Sequence, residues 1–218
     1  MTHQSAVTQQ IAEEFFGGVT PFAEQIGSTS GLAMLRGGAG SGRFQAATDL
    51  PSLRRFLCDY QSQVLIPLEL PAIHQAYRRA SRYEVRELID LDRRLAAQPR
   101  LQDFATASQR VGKTQLKRLR PLRDQRLVQR YLNAVQAGEA HAWHTVVYGV
   151  ILSLYSLPLR QGLLSYALQT TRGFIDSVAR QRQFAEEECR RLTEECCAGF
   201  PSAIDAVLSA TEDRKSVV

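Results

Sequence analysis

The sequence predicts an all-α protein, folded as a single irregular bundle of about eight to ten helices. Two observations lead to this prediction. Apolar residues recur at spacings of three and four along most of the chain, which is the period of an amphipathic helix, and no segment shows the alternation of a β-strand. At 218 residues the chain is long enough to bury a core. We expect one helical domain over residues 1–210, with a flexible loop at 36–47 and a disordered tail at 211–218.

Two short helices are predicted before the loop, the first capped by Ser5 and the second beginning near Thr20. The loop itself contains the run RGGAGSGR, which superficially resembles a phosphate-binding loop. However, Arg43 stands where the lysine of such a loop would be, and Phe44 stands where its hydroxyl would be. The run is therefore interpreted as a surface loop, and a nucleotide site is disfavoured.

Helical patterns follow one another from Asp49 to Pro121. Asp49 is the expected cap of a helix that continues, after Pro67, through the run LELPAIHQAYRRA. Ser81 followed three residues later by Glu84 predicts a capping box that opens the next helix. A break is expected at Gln98-Pro99, since proline lacks a backbone N–H, and one more helix is expected before Pro121.

The second half of the chain holds the clearest packing pattern. A helix after residue 126 is closed by Gly138, and residues 146–157 then form an uncharged apolar run. That run is shorter than the roughly 20 residues of a membrane span, so it predicts a buried core helix. Pro158 separates it from a second core helix, and a charged helix is expected from Gln183 to Cys197. The predicted buried face of the second core helix comprises Leu159, Leu163, Tyr166, Thr170, Phe174, Ile175 and Val178.

The positive charge of the chain is concentrated in residues 110–130. Eight basic residues and one acidic residue give this stretch a charge of +7, whereas the whole chain carries +5, so the remainder sums to −2. Three interpretations stay open: a solvated helix face, a contact with an acidic protein partner, and nucleic acid, which the absence of interleaved aromatic residues disfavours. The candidate basic patch consists of Arg110, Lys113, Lys117, Arg120, Arg123, Arg126 and Arg130.

No catalytic or metal-binding constellation emerges from the residues. The four cysteines are expected to be free thiols, and Cys189 and Cys196, which would share a helix face, have neither a CxxC pair nor a histidine beside them. His141 and His144 would share a helix face and are assigned a structural or interface role, and His74 is expected to be partly buried. The N-terminal sequence lacks the features of a signal peptide. We therefore expect a cytoplasmic protein that is not an enzyme, with no metal or cofactor bound directly.

Several stretches of the sequence, in order, resemble elements of one known protein family. Residues 26–32 (IGSTSGL) are similar to its FSYSHGL-like element, and residues 68–80 (LELPAIHQAYRRA) to its LDLPLLARAYRA-like helix. Residues 91–116 follow the family pattern of a helix, a break and RE-FR-AS-R-G-LL. Residues 144–167 (HTVVYGVILSLYSLPLRQGLLSYA) match best, where the family has H-PVVFG-AA-LG-P---ALLAYL. By these stretches the chain resembles the UreF family of urease accessory proteins, and the resemblance covers residues 26–180.

The resemblance implies a UreF-like helical fold and a homodimer that binds a UreD (UreH)-like scaffold and a UreG-like GTPase. Nickel for apo-urease would be handled by this complex. The partner-binding residues implied by the resemblance are Ile26, Ser28, Ser30 and Gly31, together with Arg180, at the family's basic position before a VPLGQ-like turn. After Arg180 the chain instead reads QRQFAEEE. The alternative is a helical binding module on the same scaffold, using residues 110–130 to bind another acidic partner.

Overall fold

The computed structural model describes residue 47 and residues 49–119 and 125–213. The two predicted N-terminal helices, the residues Ile26, Ser28, Ser30 and Gly31, and all of the glycine-rich loop except Ala47 lie outside these ranges. Arg120 and Arg123 of the basic patch also lie outside them.

The described residues form helices and no strand, which confirms the all-α prediction. A π-helix spans Gln61–Glu69 and a 3₁₀-helix spans Pro99–Phe104. The α-helices within the described ranges are α1 (Leu50–Tyr60), α2 (Leu70–Ser81), α3 (Val85–Ala96), α4 (Ala105–Arg118), α5 (Arg126–Gln136), α6 (His144–Leu154), α7 (Leu159–Arg182), α8 (Glu186–Cys197) and α9 (Phe200–Asp213).

The first described helix begins at the predicted cap. The side chain of Asp49 accepts a hydrogen bond from the Ser52 N–H at 2.8 Å, and Ser52 Oγ accepts one from the Asp49 N–H at 3.1 Å. This reciprocal pair satisfies two amides that the first helical turn leaves without partners. From α1 the chain continues through the π-helix, which contains Pro67, into α2 without a break. The wider turn of the π-helix brings the acidic side chain of Glu69 into the interior.

The predicted capping box at Ser81 and Glu84 is wrong. Ser81 is the last residue of α2, and its hydroxyl donates to the carbonyl of Arg78 at 2.9 Å. Because Ser81 is still helical, it cannot act as the N-cap of the next helix. The turn into α3 is made instead by Tyr83, which has a φ of 58°, while Glu84 pairs with Arg79 at 2.5 Å.

Helix α6 lies at the centre of the packing, against α2 and α4. It is joined to α7 by a short connection around Pro158, as predicted, although α6 ends at Leu154 rather than at residue 157. A Cβ atom added at Gly149 would lie 2.6 Å from the carbonyl oxygen of Ile73 on α2. One added at Gly112 on α4 would lie 1.9 Å from the carbonyl oxygen of Ala142. Glycine therefore permits the close approach of α6 to α2 and of α4 to the segment that leads into α6.

Helix α7 is the longest of the described helices, and the C-terminal helices pack on it. Six residues of its predicted face are buried, and Leu159 is partly buried. The helix ends at Arg182, and Gln183, with a φ of 56°, reverses the chain so that α8 packs back on α7. The sequence analysis missed α9, which packs on α7 through the buried side chains of Phe200 and Ile204. It reaches Asp213, three residues into the segment predicted as a tail.

Substitution of Gly149 by alanine is expected to destabilise the fold. The added methyl group would overlap a backbone carbonyl that cannot move without shifting α2, so we expect the free energy of unfolding to fall by about 1–3 kcal/mol in urea denaturation. Gly199→Ala is the matched control, since no atom lies within 4 Å of a Cβ built there. Equal stability of the two variants would contradict the close approach of α6 and α2.

Candidate functional site

A chain of buried polar side chains, here called the core network, links five elements of the fold. It begins at Glu69 in the π-helix, whose Oε2 accepts hydrogen bonds from the Tyr60 hydroxyl at 2.5 Å and from the Tyr166 hydroxyl at 3.1 Å. The Tyr166 hydroxyl also contacts Nε2 of His144, and Nδ1 of His144 lies 2.5 Å from Oγ of Ser108. The core network thus connects α1 and the π-helix, through α7 and α6, to α4.

The directions of these hydrogen bonds fix the tautomer of His144. Tyr166 donates its only hydroxyl proton to Glu69, so its oxygen must accept from the His144 ring, which places the ring proton on Nε2. Nδ1 then accepts from the Ser108 hydroxyl, whose oxygen accepts in turn from the backbone N–H of His144 at 3.2 Å. With this tautomer, both ring nitrogens of His144 and the hydroxyl groups of Tyr166 and Ser108 have hydrogen-bond partners.

Burial sets the protonation states of the core network. It lowers the pKa of His144 to about 3, so the imidazole is neutral near pH 7, in agreement with the tautomer. It raises the pKa of Glu69 to about 7, although the hydrogen bonds from Tyr60 and Tyr166 act in the opposite direction. The pKa values of both tyrosines rise well above their usual range, chiefly through burial, so the hydroxyls stay protonated donors. Glu69 is consequently the one member of the network that titrates near neutral pH.

A second buried acid, Asp92 on α3, holds the segment that leads into α6. Its side chain has no exposed surface, and it accepts hydrogen bonds from the backbone N–H of His141 at 2.7 Å and of Trp143 at 3.1 Å. It also accepts one from the Tyr131 hydroxyl. His141 precedes α6, whereas His144 is its first residue, so the expectation that the two histidines share a helix face is wrong. His74 is buried on α2, more deeply than expected.

The cysteines of the chain, Cys58, Cys189, Cys196 and Cys197, are free thiols, as predicted. Over the ranges that the structure describes, no group of three or more His, Cys, Asp or Glu side chains has the arrangement of a metal site. Over the same ranges, no helix combines the length and the apolar character needed to cross a bilayer.

The described members of the basic patch lie on the outer faces of α4 and α5, and we call this surface the basic face. All five are exposed, and none forms an ion pair with another described residue. One of them, Arg130, borders a shallow cleft of about 350 Å³ between α3 and α5, with Val85 and Ile89 in its lining. The basic face comprises Arg110, Lys113, Lys117, Arg126 and Arg130.

Arg180 lies in the last turn of α7 and is exposed. Its Nε donates to the carbonyl oxygen of Asp176 at 3.2 Å, one turn earlier in the same helix. The turn that follows leads into α8, whose first turn carries three glutamates, Glu186, Glu187 and Glu188. Arg180 is thus presented at the edge of a helical hairpin.

Sequence reasoning missed both buried acids. Asp92 carried a usable signal, because it follows Leu91 and lies one turn after Leu88, on the apolar face of an otherwise regular amphipathic helix. A carboxylate on such a face requires buried donors, although the sequence does not show which ones. Glu69 carried no comparable signal, because its inward direction depends on the π-helical turn.

Comparison with protein families gives one finding: the model of the family described as UreF matches residues 47–195. The matched range includes the core network, Asp92, the basic face and Arg180. No curated protein matches the chain.

The stability of the protein is expected to depend on pH through Glu69. In the folded protein the pKa of Glu69 is about 7, above the ordinary value of 4.5. The contribution of this group to the free energy of unfolding is therefore fully present below pH 4.5 and is lost as the pH rises through 7. This pKa shift corresponds to a decrease in the free energy of unfolding on the order of 3 kcal/mol. Glu69→Gln removes this titration, so we expect the free energy of unfolding of the variant, relative to the parent, to increase between pH 5 and pH 8.

Urea denaturation of both proteins at several pH values measures this difference. His144 is present in both proteins, and the stability that is lost through its lowered pKa as the pH falls from 6.5 toward 3 is common to them, so it largely cancels in the comparison. A difference that stays constant from pH 5 to pH 8 would show that Glu69 does not titrate in this range.

Proposed function

This chain belongs to the UreF family of urease accessory proteins, and from that premise we propose that it is a non-enzymatic scaffold for urease maturation. In this proposal it recruits and regulates a UreG-like GTPase, so that nickel can be inserted into apo-urease. The observation that carries the proposal is the family match, which runs from Ala47, three residues before α1, into α8. The fold supports it, since the matched range forms one connected helical core.

The proposed complex contains a UreD (UreH)-like scaffold protein, the GTPase and apo-urease, with this chain acting as a homodimer in the cytoplasm. Nickel is handled by the complex, and we assign it no ligand within this chain. The N-terminal residues Ile26, Ser28, Ser30 and Gly31 remain candidates for contact with a partner by their resemblance to the family element.

Arg180 is the proposed point of contact with the GTPase. Its guanidinium group is exposed, and its one described hydrogen bond is to the backbone of its own helix, so it is available to pair with a carboxylate of a partner. The sequence after it, QRQFAEEE, differs from the VPLGQ-like turn of the family; in this chain α7 continues to Arg182, and α8 begins at Glu186. The arginine is therefore presented by a helix end followed by a tight reversal.

The basic face supports a second candidate function, the binding of another acidic protein. Its side chains are exposed and are not neutralised by described acidic neighbours, which leaves a local positive field. The apolar lining of the cleft beside Arg130 adds a small area that a partner side chain could cover. This function would use α4 and α5 and would leave Arg180 free.

Arg180→Ala is expected to weaken binding of a UreG-like GTPase while leaving binding of the UreD-like protein unchanged. Loss of an interfacial charged pair typically costs about 2–5 kcal/mol, so the dissociation constant should rise at least tenfold in a titration with purified partners. Arg182→Ala is the matched control, because Arg182 is also exposed but points about 200° away around α7.

Two results would contradict this assignment. If the parent protein binds neither partner, the proposed scaffold function is wrong. If the parent binds both and the two variants behave alike, the function stands and the role of Arg180 is wrong. Circular dichroism of each variant confirms that the helices are retained.

Reversal of charge on the basic face separates the two candidate functions. The test is a double variant that carries Lys113→Glu and Lys117→Glu. If the basic face contacts only solvent, this variant should bind the UreD-like and UreG-like proteins as the parent does. If the basic face is a binding site, the variant should no longer bind an acidic protein or nucleic acid. Titrations at 50 and 200 mM salt, with an acidic peptide and with double-stranded DNA, distinguish these ligands, since phosphate contacts make affinity fall steeply with salt. Absence of binding to both would remove the second candidate function.

A further inference from the structure

One face of α1 is held against α8 by two polar contacts that flank a cysteine. Nη2 of Arg54 lies 2.8 Å from Oε2 of Glu195, and Nε2 of Gln61 donates to the carbonyl oxygen of Cys196 at 3.2 Å. Arg54 and Cys58 on α1, and Gln61, the first residue of the π-helix that continues α1, are spaced by four and three residues, so they lie along one face. Cys58 consequently lies between the two contacts, toward α8.

The residue of α8 that faces Cys58 is Cys196. Cα atoms of α1 and α8 approach within 8 Å of each other, and both polar contacts end on Glu195 or Cys196. Burial, and next the charge of the Cys58 thiolate, raise the pKa of the Cys196 thiol to about 12. The contacts of Arg54 with Glu195 and of Gln61 with Cys196, about one turn to either side of Cys58, place the Cys58 side chain beside this thiol.

We propose that Cys58 and Cys196 form a redox-sensitive pair, which a peroxide or another two-electron oxidant converts into a disulfide between α1 and α8. The inference is independent of the proposed function, because it rests only on the contact between these two helices. A disulfide needs Cα atoms about 4.4–6.8 Å apart, and Cα atoms of α1 and α8 already approach within 8 Å of each other.

The chemistry assigns different roles to the two thiols. Cys58 is exposed, so its thiolate meets the oxidant and attacks one oxygen of hydrogen peroxide; the O–O bond breaks and a sulfenic acid and water result. Cys196 is partly buried and its pKa is raised, so it acts second: its sulfur, on losing its proton, attacks the Cys58 sulfur and displaces the oxygen as water. Two thiols and one peroxide thus give one disulfide and two water molecules.

The other two cysteines are placed differently. Cys197 lies about 100° further around α8 than Cys196; burial raises its pKa to about 11, and the charge of Arg172 on α7 acts in the opposite direction. Cys189 lies two turns before Cys196 on the same face of α8, and burial, followed by the charge of Asp176 on α7, raises its pKa. Neither thiol lies at the level of the contacts made by Arg54 and Gln61 on the face that Cys196 occupies, so neither is placed beside Cys58. They provide matched controls on the same helix.

The disulfide would fasten the α7–α8 hairpin to the first described helix. In the reduced protein α8 is held on α1 by an exposed ion pair and one hydrogen bond, which are weak constraints. A covalent link at the same place would restrict the opening of α8, and with it the turn after Arg180. Oxidation would thereby act on the rigidity of the hairpin and leave the buried core unchanged.

The test is oxidation of the full-length protein with a small excess of hydrogen peroxide under native conditions, followed by alkylation of the remaining thiols. We expect titratable thiols to fall from four to two per chain, with the peptides of Cys58 and Cys196 joined in mass spectrometry. Cys58→Ser and Cys196→Ser should each abolish the intramolecular link, while Cys189→Ser and Cys197→Ser should retain it. Amides of α8 should exchange with deuterium more slowly in the oxidised parent.

Persistence of four thiols after oxidation of a folded protein would overturn the proposal. So would a disulfide that joins other cysteines, or one that joins Cys58 of two different chains. Dithiothreitol should restore all four thiols and the original exchange rate, and failure to do so would indicate irreversible oxidation of Cys58 instead of a pair. Circular dichroism before oxidation shows whether each variant is folded.

Discussion

Helix α6 is buried along most of its length, and this burial is the constraint on which the rest of the structure depends. A buried helix has no water to satisfy its polar groups, so each must find its partner inside the protein. The residues before it donate their amides to Asp92, His144 at its start bonds to Ser108 and Tyr166, and the Tyr148 hydroxyl donates to the carbonyl of Gly162 at 3.1 Å. The neighbouring helices are placed where they supply these partners.

The same constraint explains how much of the fold the sequence could predict. Local patterns were sufficient for the Asp49 cap, for the two core helices and for the buried face of α7, because each depends on residues within one or two turns. The core network could not be predicted in this way. Its partners Glu69, Tyr166 and His144 are separated by many turns of chain, and only the packing of the π-helix, α7 and α6 brings them together.

The two errors in the predicted elements have a related physical cause. Ser81 and Glu84 satisfied the local rule for a capping box, yet α2 continues through Ser81, and Glu84 has a stronger partner in Arg79. Helix α9 was missed because its contact with the core depends on a few side chains, with Phe200 and Ile204 fully buried and most of the rest exposed or partly exposed. In both cases tertiary contacts decided an outcome that local preference left open.

Family membership and partner choice depend on different parts of this molecule. The range that matches the family contains positions where substitution is costly, such as the buried His144 and the close approach of Gly149 to α2. Arg180 and the basic face are exposed, so the core places almost no constraint on what surrounds them. The sequence of the turn after Arg180 can therefore differ from the VPLGQ-like turn of the family without disturbing the core. A change at this position alters the exposed surface beside Arg180 and leaves the packing of the buried helices as it is.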